Sequence, residues 1–99
     1  MANETLIQDA LDACNVIRAD LGLPPVTKMR KGRRVNACSC PVARTIAHNS
    51  MHEVSCCSSR VSVDRQPPRH LESGHPISQF ILAFDGGLVP ELDEWEQDE

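Results

Sequence analysis

The chain has 99 residues, a formal net charge of −4 and only three aromatic residues, Phe80, Phe84 and Trp95. Its length predicts a single domain with a small core that is packed mostly by aliphatic side chains. No apolar run approaches the roughly 20 residues that a membrane-spanning helix needs, and the start of the chain does not have the pattern of a signal peptide. We therefore expect a cytoplasmic protein with no membrane partner, whose five cysteines are reduced thiols or metal ligands.

Charge is distributed unevenly along the chain. Residues 24–70 contain nine Lys and Arg residues against two acidic ones, whereas residues 71–99 contain eight acidic residues and no Lys or Arg. A basic middle between acidic ends can bind an anionic partner, or it can pair with the chain's own ends. The layout alone leaves both interpretations open.

Two helices are predicted in the first half of the chain. Residues 4–21 carry apolar side chains at i, i+3 and i+4 spacing, which indicates an amphipathic helix with Cys14 on its core face and Gly22 just past its end. Residues 24–36 have no periodicity and predict a loop. A second helix is expected from Ser39 or Cys40 to about Met51, because Pro41 suits a first turn.

The second half predicts a strand region and a third helix. Between residues 54 and 63 the apolar positions change from even to odd numbers, which indicates a hairpin or a bent strand with a turn near residues 57–59. The last helix is expected to begin near Pro76 and to stop at Gly86. The sequence thus predicts an α+β fold for residues 1–90, with about three helices around a minimal strand pair, and a flexible acidic tail over residues 91–99.

Several short segments of the chain resemble a group of small uncharacterised proteins encoded by phages of actinobacteria. The segments are LGLPPV at residues 21–26, KGRR at 31–34, CPVART at 40–45 and FDGGLVPEL at 84–92. They cover about a quarter of the chain, in matching order. The resemblance implies a phage product that acts in the host cytoplasm, and it implies no catalytic residues.

The first candidate site is a cationic loop in the middle of the chain. Its basic side chains could contact phosphates or an acidic protein surface, and they are Lys28, Arg30, Lys31, Arg33 and Arg34. Binding to nucleic acid would normally add aromatic side chains for stacking or a helix-turn-helix spacing, and neither pattern is present. The alternative is a solvated loop, or one that docks on acidic segments of this chain or of a partner.

The second candidate is a set of cysteines and histidines that could hold zinc, although the spacing differs from the usual Cys-x2–4-Cys form. The residues concerned are Cys38, Cys40, His48, His52, Cys56 and Cys57. Cys40 and His48 would lie about 12 Å apart along one helix, too far to share an ion. The remaining options are His48 and His52 with Cys56 or Cys57, Cys38 and Cys40 with Cys56 and Cys57, or thiols that bind no metal. Cys40 near a helix start could also have a lowered pKa.

No motif for catalysis is present, and four histidines and many serines alone do not make a site. Trp95 amid acidic residues could serve as a short docking segment, or the tail could simply be a solubilising one. We therefore expect a non-enzymatic interaction protein that binds a host or phage macromolecule. A homodimer or a bound metal could supplement its small core. The alternatives are a nucleic-acid-binding regulator that uses residues 28–34, and a zinc-stabilised binding module.

Overall fold

The fold was determined as a computed structural model that describes residues 2–34, 36 and 38–92. Three helices and three strands are present there, in the order α1 (Ala2–Asp20), α2 (Pro41–Ala47), β1 (Val54–Cys57), β2 (Arg60–Val63), β3 (Arg69–His70) and α3 (Pro76–Asp85). A short 3-10 helix follows at Pro90–Leu92. The predicted α+β fold class is confirmed.

Helix α1 forms where the apolar periodicity predicted it. Ala10, Leu11, Cys14 and Ile17 are buried along one face, which packs against α2 and α3. Gly22 adopts the left-handed conformation with φ of 76°, and the amide groups of residues 22 and 23 donate to carbonyls of the last helical turn. This is the glycine-ended helix terminus that the sequence indicates.

Helix α2 begins as predicted but ends four residues early. Cys40 caps its start and Pro41 occupies the first turn. The helix ends at Ala47 rather than near Met51, because His48 leaves the helical conformation and Asn49 has a positive φ of 55°. The guanidinium of Arg18 donates hydrogen bonds to the backbone carbonyls at this end of the helix, so these carbonyls have partners without another helical turn.

The strand region is a hairpin to which a third strand is added. β1 pairs with β2 in antiparallel register, with Val54 opposite Val63 and Cys56 opposite Val61, so even positions face odd ones. This register explains the parity change in the sequence, since all four side chains are buried on one face. β3 pairs with β2 and extends the predicted strand pair to a sheet in the order β1-β2-β3.

Helix α3 completes the core and leads into the last described segment. Phe80 and Phe84 are buried on its inner face with their ring centroids 5.8 Å apart. After the helix stops at Gly86, Leu92 packs at the edge of the core and its carbonyl accepts a hydrogen bond from the amide of Gly32. The predicted start of the tail at residue 91 therefore falls before the last packed residue, and residues 93–99 lie outside the described part of the chain.

Candidate functional site

Within its basic run, the cationic loop is attached to the body of the protein at Met29 and at Gly32, and Met29 comes first in the chain. Its side chain is buried in the core, whereas Lys28 and Arg30 on either side are exposed. The amide of Arg30 donates to the buried hydroxyl of Thr45 at 2.9 Å. This arrangement fixes the backbone and turns the charged side chains towards solvent.

The second attachment point is Gly32, which is buried in the middle of the basic run. A Cβ atom there would lie 2.4 Å from the carbonyl oxygen of Ser39 and 2.5 Å from the nitrogen of Pro41. The loop backbone therefore crosses directly over the start of α2, at a distance only glycine permits. The amide of Arg33 also donates to the Ser39 carbonyl at 2.8 Å.

Four cationic side chains surround a shallow depression of about 370 Å³ where the loop meets α2. Lys28, Arg30 and Lys31 come from the loop and Arg44 from α2, and Met29 contributes the apolar part of the lining. Arg44 is oriented by a hydrogen bond from its Nη1 to the carbonyl of Lys31, at 3.1 Å. Within the described residues, no acidic side chain lines this depression. We call the four cations Lys28, Arg30, Lys31 and Arg44 the basic surface.

The five residues predicted for macromolecule binding are thus divided. Three of them belong to the basic surface, but Arg33 and Arg34 do not line the depression. The guanidinium of Arg34 instead reaches the turn after α3, where its Nη1 would lie 2.9 Å from a Cβ at Gly87. Arg44 was not among the predicted residues, and only its place near the start of a helix that follows the loop could have suggested it.

Of the predicted metal ligands, the structure brings together Cys40 and Cys56. Their sulfur atoms are 3.0 Å apart in the core, and Cys40 Sγ also accepts a hydrogen bond from the amide of Ala43. Donation from Cys56 lowers the pKa of Cys40, whereas the pKa of Cys56 is raised because its thiol is the donor and is buried. The lowered pKa at Cys40 agrees with its position at a helix start.

The other two cysteines of the proposed zinc set lie elsewhere. Cys57 follows Cys56 on β1 and therefore points to the opposite, outward face of the sheet, and Cys38 is exposed. In the part of the chain that the structure describes, no group of three or more Cys, His, Asp or Glu side chains is arranged to hold a metal ion. Cys40 and His48 occupy the two ends of α2, as the helix-length argument requires.

Cys57 lies on the outward, polar face of the sheet. Together with Ser55, Arg60 and Ser62 it lines a second depression of about 370 Å³. A hydrogen bond with the hydroxyl of Ser59, at 3.4 Å, lowers the pKa of the Cys57 thiol. The sequence showed the cysteine pair 56–57 but not that its members face opposite sides.

His52 takes part in a contact that sequence reasoning missed. Its Nδ1 lies 2.5 Å from Oδ2 of Asp64, and Oδ1 of the same carboxylate accepts from the amide of Glu53 at 2.8 Å. These bonds join the two ends of the hairpin just beyond Val54 and Val63. His52 is therefore a structural partner of Asp64 in this fold.

The predicted docking residue Trp95 lies outside the described residues. Among the described helices, none is both long enough and apolar enough to cross a membrane. Comparison with known proteins found no matching family model, no matching curated protein and no matching solved structure.

Proposed function

We propose that this protein is a non-enzymatic interaction module that binds an acidic segment of a partner protein on the basic surface. The observation that carries the proposal is the convergence of four cations from two chain segments on one depression. A segment rich in Asp and Glu offers carboxylates that match guanidinium and ammonium groups. The fixed backbone at Met29 and Gly32 supports a surface that is formed before the partner arrives.

Two features favour an acidic protein over nucleic acid as the partner. Phe80 and Phe84, the two aromatic residues in the described part of the chain, are buried, so neither offers a ring for base stacking. The cations also surround one depression and do not follow an extended track along which a phosphate backbone could lie. Nucleic-acid binding through the same residues is the alternative that the experiment must separate.

The resemblance to phage proteins supports the host cytoplasm as the compartment in which this binding takes place. A phage product of this kind would meet its partner in the host cytoplasm, where a small module can act by occupying an acidic surface of a host or phage protein. The same setting keeps the thiols reduced unless an oxidant is present.

The proposal can be tested with fluorescence anisotropy on a labelled polyglutamate peptide, at low and at physiological salt. The variant K28Q/K31Q removes two charges from the basic surface, and R60Q/R69Q removes two from the sheet as a matched control. We expect K28Q/K31Q to weaken peptide binding by roughly tenfold at low salt, and R60Q/R69Q to change it little.

Three results would contradict the proposal. Equal losses in the two variants would show a response to overall charge and no localised site. Failure of the wild-type protein to bind the peptide at low salt would remove the basis for an acidic partner. Tighter binding to a labelled DNA duplex than to the peptide, lost in K28Q/K31Q, would favour the nucleic-acid alternative.

A further inference from the structure

Three thiols from three different elements are buried in the core of this protein. Cys14 comes from α1, Cys40 from the start of α2 and Cys56 from β1, and each is at most 4% exposed. The sulfur atoms of Cys40 and Cys56 are 3.0 Å apart, so a shift of about an ångström brings them to the length of a disulfide bond. The surrounding core holds both side chains in this facing arrangement.

The thiols are chemically different from one another. Cys40 Sγ accepts hydrogen bonds from Cys56 and from the amide of Ala43, which together lower its pKa and favour the nucleophilic thiolate. Burial raises the pKa of Cys14 to about 12, so it stays protonated. Cys56 is also held as a thiol, directly beside Cys40. This is the arrangement of one attacking and one resolving sulfur.

We infer that Cys40 and Cys56 are a reversible redox pair that closes to a disulfide when the protein meets peroxide. The Cys40 thiolate attacks one peroxide oxygen, the O–O bond breaks, and hydroxide leaves to give a sulfenic acid on Cys40. The Cys56 sulfur then attacks the Cys40 sulfur, the S–O bond breaks, and water leaves. In sum two thiols and one hydrogen peroxide give one disulfide and two waters, and an added dithiol reductant reverses the change.

The disulfide would change the part of the fold that supports the basic loop. It would covalently join the start of α2, which Gly32 contacts directly, to the first strand of the sheet. It would also close a loop of fifteen intervening residues, 41–55, that contains all of α2. A closed loop of that size should raise the melting temperature by about 15 °C.

The pair can be identified in the full chain with the variant C38S/C57S, which replaces the two cysteines outside the core. Trypsin then yields one cysteine per peptide, with Cys14 in residues 1–18, Cys40 in 35–44 and Cys56 in 45–60. After peroxide and alkylation of free thiols, we expect mass spectrometry to show the peptides 35–44 and 45–60 joined, with two hydrogens lost. The melting temperature should rise with peroxide and return with dithiothreitol.

The variant C40S/C56S is the matched control, with two cysteines replaced in the core and the outer pair kept. It should show neither the joined peptides nor the reversible change in melting temperature. Peptides joined in C40S/C56S but not in C38S/C57S, or Cys14 joined to Cys40, would overturn the inference. So would free Cys40 and Cys56 in folded C38S/C57S after a peroxide dose that converts the fully exposed Met51 to its sulfoxide.

Discussion

The guanidinium of Arg18 on α1 donates a hydrogen bond of 2.9 Å to the backbone carbonyl of Ile46 in the last turn of α2. The same Nη1 also donates to the carbonyls of Thr45 and His48, and Nε donates to Pro24. Arg18 is 1% exposed, so its charge is satisfied almost entirely by carbonyl dipoles. The cation lies at the negative end of the helix, which is the favourable arrangement for a helix dipole.

Replacing Arg18 should therefore destabilise the whole fold. In R18M the apolar volume is largely kept, but the carbonyls of Thr45 and Ile46 lose a buried donor. We expect a loss of about 3 kcal/mol in the free energy of unfolding, measured by urea denaturation. R18K should also lose stability, because one ammonium group cannot reach the Pro24 carbonyl and the end of α2 together.

Arg69 provides the control for this prediction. It forms an ion pair of 2.8 Å with Asp20, but both side chains are about half exposed. Water and salt screen such a pair, so R69M should change stability by less than about 1 kcal/mol. Similar losses in R18M and R69M would show that the buried donor at α2 is not important for stability.

The sequence predicted the parts of this fold that depend on local patterns. Helix α1 follows from apolar spacing, and the hairpin follows from the parity change between Cys56 and Val61. The burial of Arg18 could not be predicted, because its partners at the end of α2 lie 27 to 30 residues away and the local pattern shows only a cation on a helix. Strand β3 has two exposed residues and therefore no apolar pattern to detect.

The candidate site was likewise predicted only in part. Its loop residues follow from the run of basic residues, since a dense positive charge is visible in any window of the sequence. The inclusion of Arg44 depends on the path of the loop over α2, which Met29 and Gly32 determine through contacts with the core and the helix start. Such contacts join residues far apart in sequence, and periodicity carries no information about them.

A methyl group at position 32 should disrupt the attachment of the basic loop. In G32A the new Cβ would overlap the backbone of Ser39 and Pro41, and backbone atoms cannot move aside as a flexible side chain can. We expect a loss of about 3 kcal/mol in the free energy of unfolding. In the control G86A the nearest atom is the Leu82 carbonyl oxygen at 3.3 Å, and φ is −80°, so the change should stay within about 1 kcal/mol. A G32A protein as stable as G86A would mean that the loop does not pack on α2.

The contact between Asp64 and His52 should make stability depend on pH. Hydrogen bonds from His52 and from the amide of Glu53 lower the pKa of the Asp64 carboxyl in the folded state. The unfolded state therefore binds more protons as the pH falls. The contribution is fully present above the unfolded-state pKa of about 3.9, and it is lost as the pH falls through the lower folded-state pKa.

The variant D64N should remove this part of the pH dependence. Asparagine tolerates the positive φ of 54° at this position, so the backbone is not disturbed. Urea denaturation between pH 2 and 7 should show that wild type is more stable than D64N at pH 7 and that the difference shrinks under acid. D9N, which changes an exposed carboxylate on α1, controls for the general effect of charge. A constant difference between wild type and D64N across the series would contradict the assignment.

Replacing Asn15 should destabilise the fold, because its side chain makes two hydrogen bonds to the start of the loop. Its Oδ1 accepts from the amide of Val26 at 2.9 Å, and its Nδ2 donates to the carbonyl of the same residue at 3.0 Å. Asn15 is half-buried, and its two bonds tie the start of the loop to the helix. N15A should lose about 2 kcal/mol in the free energy of unfolding, since two partly buried backbone groups lose their partners. N15D should lose at least as much at neutral pH, because a carboxylate oxygen would then face the Val26 carbonyl.

The two hydrogen bonds between Asn15 and Val26 also predict a local change that a loss of global stability alone would not produce. With Asn15 removed, the loop should open more often under native conditions, and trypsin should cut faster after Lys28 and Arg30 while the rest of the chain stays folded. N3A is the matched control, because Asn3 on the same helix also donates to a backbone carbonyl, that of Leu88, at an exposed site. Solvent can replace that bond, so N3A should cost less than about 1 kcal/mol and leave cleavage after Lys28 unchanged. If N15A and N3A were cut at the same rate in the loop, the bonds to Val26 would not be what holds the basic surface in place.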